Sequence, residues 1–371
     1  MQMFDAVIIG AGIVGAACAA ALSREKLKVA VIDAIGPATG TTAAGMGHIV
    51  AMDDSEAQFA LTNYSRKLWN ELAEELPLEC EYERCGTIWV AANEAEMDEA
   101  RKKQDHYAAR GIEAEILDTK ALLDAEPNLA ESLAGGLLVR GDSVVYQIGA
   151  AQYLLDKAVR LGAEVRIGGR AKKITKGRVE LMGGEIIAAD HIINAAGATA
   201  SELSPQLKIV KRKGHLVITD RYNGFIRHQL IELGYLRSAH GRDADSVAFN
   251  VQPRKTGQIL LGSSRQFGAE TNEIDAAIVR RMTARAFEYM PRMKRLSVIR
   301  TWTGFRPATP DNLPYIGKIP GFEKVYAAAG HEGLGITTSL GTAELLAAEI
   351  LGRRPAISPE PYSPSRNITQ H

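Results

Sequence analysis

The chain has 371 residues, 46% of them hydrophobic, and its 44 basic residues balance 44 acidic ones, so the formal charge is zero. Such a chain can bury a large core in two or three domains, and a zero balance excludes the long-range attraction expected of a nucleic-acid or anionic-membrane binder. Cys18, Cys80 and Cys85 lack metal-ligand spacing and are too few and odd in number for a disulfide framework, so no metal is expected and a reducing cytoplasm fits. No apolar stretch reaches about 18 residues, and the N-terminal run is broken by glycines, which argues against a membrane span or a signal peptide.

Residues 4–9 form a short apolar run of the kind a strand covered on both faces shows, and Gly10-Ala11-Gly12-Ile13-Val14-Gly15 follows at once. Gly10 gives the tight turn, Gly12 lets a pyrophosphate approach the backbone, and Gly15 lets the next helix lie close on the sheet. The alanine-rich run 14–22 is that helix, with its first amides facing the phosphate charge. A second strand, 28–32, leads into Asp33, 18 residues after Gly15, where an acid accepts hydrogen bonds from an adenosine ribose. Strand, turn, helix and acid together predict a dinucleotide cradle.

Residues 36–47 are too small and glycine-rich for a helix or strand and read as a loop threaded past a bulky ligand. Helical apolar spacing returns over 55–75 (Phe59, Leu61, Leu68, Trp69, Leu72); 86–91 reads as a strand and 93–111 as a helix. The nucleotide-binding pattern resumes with a helix over 148–161, a strand over 164–167, short strands within 172–181 and a buried strand over 190–197 that ends in small residues. About a hundred residues therefore separate the two halves of the dinucleotide domain. From 207 to 300 the pattern is mostly strands (216–219, 246–252, 258–262, 296–302) with one helix, 273–290, and the alternation predicts an antiparallel second domain. A strand over 325–329, a glycine turn and a helix rich in alanine and leucine close the fold before a Pro/Ser-rich tail.

Four segments in this order resemble the FAD-dependent D-amino-acid oxidase superfamily, which includes glycine oxidase and sarcosine oxidase. They are 10–15 with Asp33, the loop 41–46 (TTAAGM), the strand 192–197, and 302–311 (WTGFRPATPD) with 314–317 and 329–336. The resemblance covers nearly the whole chain. It implies an α/β fold in which a Rossmann-like FAD-binding domain, 1–49, 141–204 and 305–371, is interrupted by a mostly antiparallel α+β substrate domain, 50–140 and 205–304.

The resemblance also implies FAD contacts. Gly10, Ala11, Gly12, Ile13, Val14, Gly15, Asp33 and Ala34 would meet the adenosine and pyrophosphate, and Thr41, Thr42, Ala43, Ala44, Gly45 and Met46 the ribityl chain and ring. Ala196 and Gly197 would lie behind the diphosphate and Gly333, Leu334, Gly335, Ile336 and Thr337 at the pyrimidine edge, with Ala171 and Gly304 completing the set. Free amides at the start of the last helix would stabilise negative charge at that edge when the ring is reduced; the alternative is a helix that merely packs on the sheet. Some relatives attach FAD through a histidine in the first loop or a cysteine near the substrate arginine. Thr42 and the absence of any cysteine after Cys85 imply non-covalent FAD here.

Arg306 stands where the family keeps its carboxylate-binding arginine, and a guanidinium there could grip a substrate carboxylate through two parallel hydrogen bonds; the alternative is an ion pair with Asp311. His48, grouped with Arg306 as a catalytic candidate, could position the substrate amine, and Met46, Asn250 and His331 complete the expected substrate contacts. Against glycine as substrate, Gly333 and Asn250 occupy positions where glycine oxidase places an arginine and a tyrosine. Leu260 replaces the oxygen-activating lysine of sarcosine oxidase.

The expected chemistry is hydride transfer from the α-carbon of a small D-amino or imino acid to flavin N5, without a protein base at that carbon. Residues 45–54 and 142–146 look most like the flavin subunits of D-hydroxyproline dehydrogenase and hydrogen cyanide synthase. That likeness implies D-hydroxyproline as substrate and electron transfer to partner subunits, an α subunit and a small iron-sulfur-type subunit, in a cytoplasmic hetero-oligomer that could touch the inner membrane face through its partners. Three other readings remain: an oxygen-using glycine or sarcosine oxidase, a non-catalytic flavin relay, and an NAD-dependent dehydrogenase. The last is disfavoured because its second nucleotide half should follow Asp33 directly.

Overall fold

The computed structural model describes residues 3–234 and 245–366. It divides into two compact units, one of Met1–Cys80, Tyr146–Lys211 and Phe305–His371, the other of Glu81–Val145 and Arg212–Gly304.

In the first unit the strand Met3–Ile9 is central, pairing in parallel with Val29–Asp33 on one side and Ile186–Asn194 on the other. Glu164–Ile167 and Val325–Ala329 extend the parallel sheet outward. Tyr315–Lys318 closes one edge antiparallel, and the strands Ala171–Thr175 and Arg178–Leu181 attach as an antiparallel flap. The runs 6–9 and 29–32 hold no polar residue because both faces are covered; Val7, Ile8, Val29, Ala30, Val31 and Ile32 are fully buried. The helices Ile13–Arg24, Gln147–Arg160 and Gly335–Ile350 form one packed group, with Ile13–Arg24 touching both others.

Residues 50–80 were expected with the substrate domain but pack in the first unit. Their helix, Glu56–Leu72, starts at Ser55, whose hydroxyl accepts the Gln58 amide. The buried Trp69 indole then donates to the carbonyls of Ile336 and Thr337, and the Ser65 hydroxyl accepts the Gly341 amide. Gly341 is itself a close-approach position: a Cβ there would lie 3.1 Å from Leu61 and 3.2 Å from Ser65. The amphipathic spacing identifies the helix but does not say which core its apolar face meets.

The second unit is one eight-stranded sheet in the order Val298–Ala308, Val210–Thr219, Ile259–Arg265, Ser246–Pro253, Gln229–Glu232, Thr87–Ala91, Gly135–Val139, Glu115–Asp118. Its pairings are antiparallel as expected wherever they are resolved, except that Gln229–Glu232 and Thr87–Ala91 run parallel. One face is apolar: Ile88, Val90, Leu230, Phe249, Val251 and Leu261 join Met282, Ala286 and Tyr289 of the helix Ala276–Tyr289 in a continuous core. Phe249 and Tyr289 stack there with ring centroids 4.6 Å apart.

Candidate cofactor and substrate site

The N-terminal turn is built as a steric lock. A Cβ on Gly15 would fall 1.9 Å from the Gly10 carbonyl oxygen, and one on Gly10 would fall 2.4 Å from the Ala195 oxygen. Both positions therefore accept only glycine, and Gly10 also takes φ +109°. Gly12 differs: a Cβ there would meet only the Thr42 hydroxyl, at 3.2 Å, so the surface of the turn is open at this point. The helix Ile13–Arg24 has no side-chain cap from Gly12; instead the Thr42 hydroxyl accepts the Ile13 amide at 3.0 Å. Helical geometry leaves the Val14 and Gly15 amides without a carbonyl one turn back, which provides donors for an anion.

Asp33 stands at the end of its strand beside this turn. One carboxylate oxygen accepts the Ala11 amide at 2.8 Å, and the other accepts the amides of Ile35 and Gly36. A carboxylate has about four lone-pair positions, so these three bonds fix its orientation and leave one for a ribose hydroxyl. Ala196 and Gly197 follow Ala195 at the turn, Gly197 with φ +55°. Ala34 is exposed, and Ala171 packs against the first unit's core from the flap.

Beyond the Thr42–Ile13 bond, the loop over residues 36–47 and its exit at His48 are tied by side chains at three further points. The Thr41 hydroxyl donates to the Phe305 carbonyl at 2.8 Å, next to Arg306; the Gln147 amide donates to the Gly45 carbonyl at 2.7 Å; and the Thr337 hydroxyl donates to the His48 carbonyl at 2.8 Å. Gly45 also lies so near the last helix that a Cβ would meet Ile336 at 2.9 Å. Thr42 and Met46 are buried, while Ala43 and Ala44 are partly exposed. Gln147 opens a helix without a distinguishing pattern, and nothing in the sequence marks it as a loop clamp.

The last helix, Gly335–Ile350, has no side-chain cap at its start. The Thr338 amide is bonded back to Leu334, and by helical geometry the amides of Gly335, Ile336 and Thr337 lack a carbonyl one turn back. The Thr337 side chain is occupied by His48 and Val50, so any ligand contact there is through its backbone. Exposed Gly333 lies against Arg306, whose Nε would be 3.6 Å from a Cβ at that position. Asp311, the alternative partner for Arg306, is gripped at both carboxylate oxygens by Arg366, at 2.7 and 2.9 Å; Arg366 also lies over the Tyr315 ring. Burial works to raise the Asp311 pKa, but Arg366 overrides it and holds the carboxyl below its usual value.

The two candidate histidines have different surroundings. His331 is 4% exposed, and its Nε2 is 3.0 Å from the Thr342 hydroxyl within the last helix, which is the geometry of a packing residue rather than of a substrate contact. His48 is partly exposed as a residue, but its Nε2 is buried and has no hydrogen-bond partner among the described residues. Burial pushes both imidazoles down to about 3, so both are neutral at physiological pH. Asn250 belongs to the second unit, buried on Ser246–Pro253, and Gly304 is that unit's last residue.

An open glycine turn, free amides at two helix starts and an acid with spare acceptor capacity suit a flavin dinucleotide, with the Ile13–Arg24 start and Asp33 for the adenosine-diphosphate half and the Gly335–Ile350 start for the ring. Residues 5–349 match the family described as DAO, FAD dependent oxidoreductase. Glycine oxidase of Geobacillus kaustophilus is 27% identical over 380 residues, covering 98% of this chain and 97% of that protein. Its crystal structure superposes with a TM-score of 0.89 over 100% of both chains. Hydrogen cyanide synthase subunit HcnC of Pseudomonas aeruginosa is 28% identical over 402 residues, covering 93% of this chain and 92% of that one. The cradle, the interrupted nucleotide domain and the match over nearly the full length place this chain in the DAO family of FAD-dependent oxidoreductases.

Proposed function

We propose that the chain dehydrogenates a small D-amino or imino acid, with cis-4-hydroxy-D-proline as the leading substrate. The supporting observation is Arg306 beside Gly333, a position without a side chain, two residues before the uncapped start of the last helix. Bound FAD supplies the acceptor for a hydride leaving the substrate α-carbon. The chain's own residues bind and orient. Arg306 pairs with the substrate carboxylate through two parallel hydrogen bonds and so fixes which face of the α-carbon is presented. The amides of Gly335, Ile336 and Thr337 meet the negative charge that the acceptor gains. His48, neutral and with a buried unpartnered Nε2, positions the substrate amine, whose lone pair stabilises the developing C=N bond. Met46 contributes a buried apolar wall and Asn250 completes the proposed set of substrate residues, whereas His331 acts through packing.

FAD is held non-covalently in this reading, since Thr42 stands where some relatives carry an attaching histidine and no cysteine follows Cys85. Electrons then pass to partner redox subunits in a cytoplasmic assembly; the similarity to a protein named as a subunit supports this. Among the described residues no helix is long and apolar enough to cross a membrane, so a membrane association would run through the partners. The similarity to glycine oxidases favours one competing reading, an oxidase of glycine or sarcosine that uses oxygen. Steady-state assays across D-, L- and N-methyl amino acids, each with a redox dye and with oxygen, separate the two. Dye-linked turnover of D-imino acids with little peroxide supports the dehydrogenase, whereas turnover confined to glycine or sarcosine with stoichiometric peroxide refutes it.

A further inference from the structure

The first turn of the helix Gly335–Ile350 is held from outside by the helix Glu56–Leu72, and the contacts fall on particular peptide units. The Trp69 indole N–H donates to the carbonyls of Ile336 and Thr337, each at 3.1 Å. The Ser339 hydroxyl donates to the same Ile336 carbonyl at 2.9 Å. One turn on, the Ser65 hydroxyl accepts the Gly341 amide at 3.0 Å, and Gly341 is the residue that helical geometry sets opposite the Thr337 carbonyl. Trp69 and Ser65 lie four residues apart, on one face of their helix, and both are fully buried.

Packing alone does not call for this arrangement. A buried indole is satisfied by one acceptor, and helical geometry already supplies the two carbonyls with amide donors one turn on. The peptide that joins Ile336 to Thr337 takes two side-chain donors on its oxygen, while its N–H, the Thr337 amide, has no carbonyl one turn back. Hydrogen bonds in series polarise one another, so a donor on a peptide oxygen strengthens the N–H at the other end of that peptide. The Thr337 side chain is pinned separately, donating to the His48 carbonyl and accepting the Val50 amide. The peptide is thus fixed in direction from two sides and left open at its hydrogen.

We propose that Trp69 is a positioning residue for the cofactor: acting through the Ile336–Thr337 peptide, it orients the Thr337 amide and strengthens it as a donor, which makes bound FAD easier to reduce. This rests on the cofactor half of the reading above, in which the start of this helix meets the negative charge that the acceptor gains. Ser65 supports it by holding the next turn in register.

The test is the reduction equilibrium of the FAD-loaded protein against a reference dye, titrated anaerobically with dithionite so that no substrate is involved. It compares wild type, Trp69→Phe and a packing control, Leu61→Ala, with melting temperatures for all three. Phenylalanine keeps an aromatic ring in the core and removes the N–H; Leu61 is buried on the same helix and packs against Gly341. The expected result is an equilibrium shifted about threefold to tenfold against reduction in Trp69→Phe, about 15–30 mV for a two-electron couple, with wild-type behaviour in Leu61→Ala even though its melting temperature falls. Should Trp69→Phe fail to fold, 3-benzothienylalanine at position 69, with sulfur in place of the N–H, gives the same comparison with the ring shape kept. An equilibrium that stays within about 1.5-fold of wild type without the N–H, or a shift just as large in Leu61→Ala, overturns the inference, since the indole then only packs. That outcome leaves the amino-acid reading standing if turnover persists. The expected shift in a protein that turns over no amino or imino acid sinks the substrate reading and keeps this one, and a chain that takes up no FAD overturns both.

Discussion

Asn194 and Gln229 are both fully buried carboxamides, yet their surroundings are opposite. In the first unit, Asn194 donates to the Ala200 carbonyl and the Ser204 hydroxyl, each at 2.9 Å, and accepts the Ala196 amide at 3.3 Å. In the second, neither amide atom of Gln229 has a partner among the described residues. The first group is wired into the fold and holds the turn after the strand Ile186–Asn194. The second contributes desolvation cost without a return from the fold. Burial alone therefore does not say how a polar group serves the fold; the fate of its hydrogen bonds does.

The most severe break of the wired unit is at its glycine lock. Gly15→Val places atoms inside van der Waals contact of the Gly10 carbonyl, and we expect a loss of about 3 kcal/mol or more with no FAD retained, read by chemical denaturation and flavin absorbance. A variant that folds and binds FAD normally would remove the steric account of the cradle. Arg306→Met should keep the flavin and the fold but lower kcat/KM by about 100- to 1,000-fold through the loss of a two-bond charge pair with substrate. A change of less than about threefold would mean that Arg306 does not bind the carboxylate.

The carboxamide pair sharpens the comparison directly. Asn194→Leu should cost about 2–4 kcal/mol, because the buried Ser204 hydroxyl and the half-buried Ala196 amide lose their partner. Gln229→Met should lie within about 1 kcal/mol of wild type or above it. Equal losses in urea titrations would erase the distinction. The last test concerns acid. His48 and His331 are held at about 3 in the folded chain against 6.5 for the free side chain, so the unfolded chain takes up protons first as pH falls. Their stabilising contribution is full above pH 6.5 and is lost between there and about pH 3, at roughly 1.4 kcal/mol per pH unit for each histidine. His331→Gln should flatten part of that slope, and stability that is level from pH 7 to pH 5 would contradict the burial of these rings.

The cradle was legible because Gly10, Gly15 and Asp33 fall in one pattern some 25 residues long, which a sequence displays, although the neighbour that excludes a side chain at Gly10 is Ala195, far along the chain. The return of the nucleotide fold near residue 148 was legible too, since parallel strands buried on both faces read as apolar runs. Residues 50–80 went to the other unit in the sequence reading because an amphipathic helix shows that it packs without showing where. Glu115–Asp118, Thr119–Ala125, Gly135–Val139 and Gln229–Glu232 were not anticipated. They are four to seven residues long, and glycines, acids or turn residues at their ends hide the period. The parallel pairing of Gln229–Glu232 with Thr87–Ala91 is invisible in principle, as side chains alternate identically in parallel and antiparallel strands. For the site, a lone glutamine such as Gln147 carries no pattern; its role depends on the Gly45 carbonyl, far away in the chain.

The central claim is that this chain carries FAD beside a guanidinium that anchors an amino or imino acid. Anaerobic addition of D-imino and D-amino acids to the purified protein, followed at the flavin absorbance band, tests it most directly. The account predicts a yellow protein that bleaches on mixing with a carboxylate-bearing D-imino acid, and does so far more slowly in Arg306→Met. A protein that holds FAD but stays yellow with every amino and imino acid supplied would contradict it.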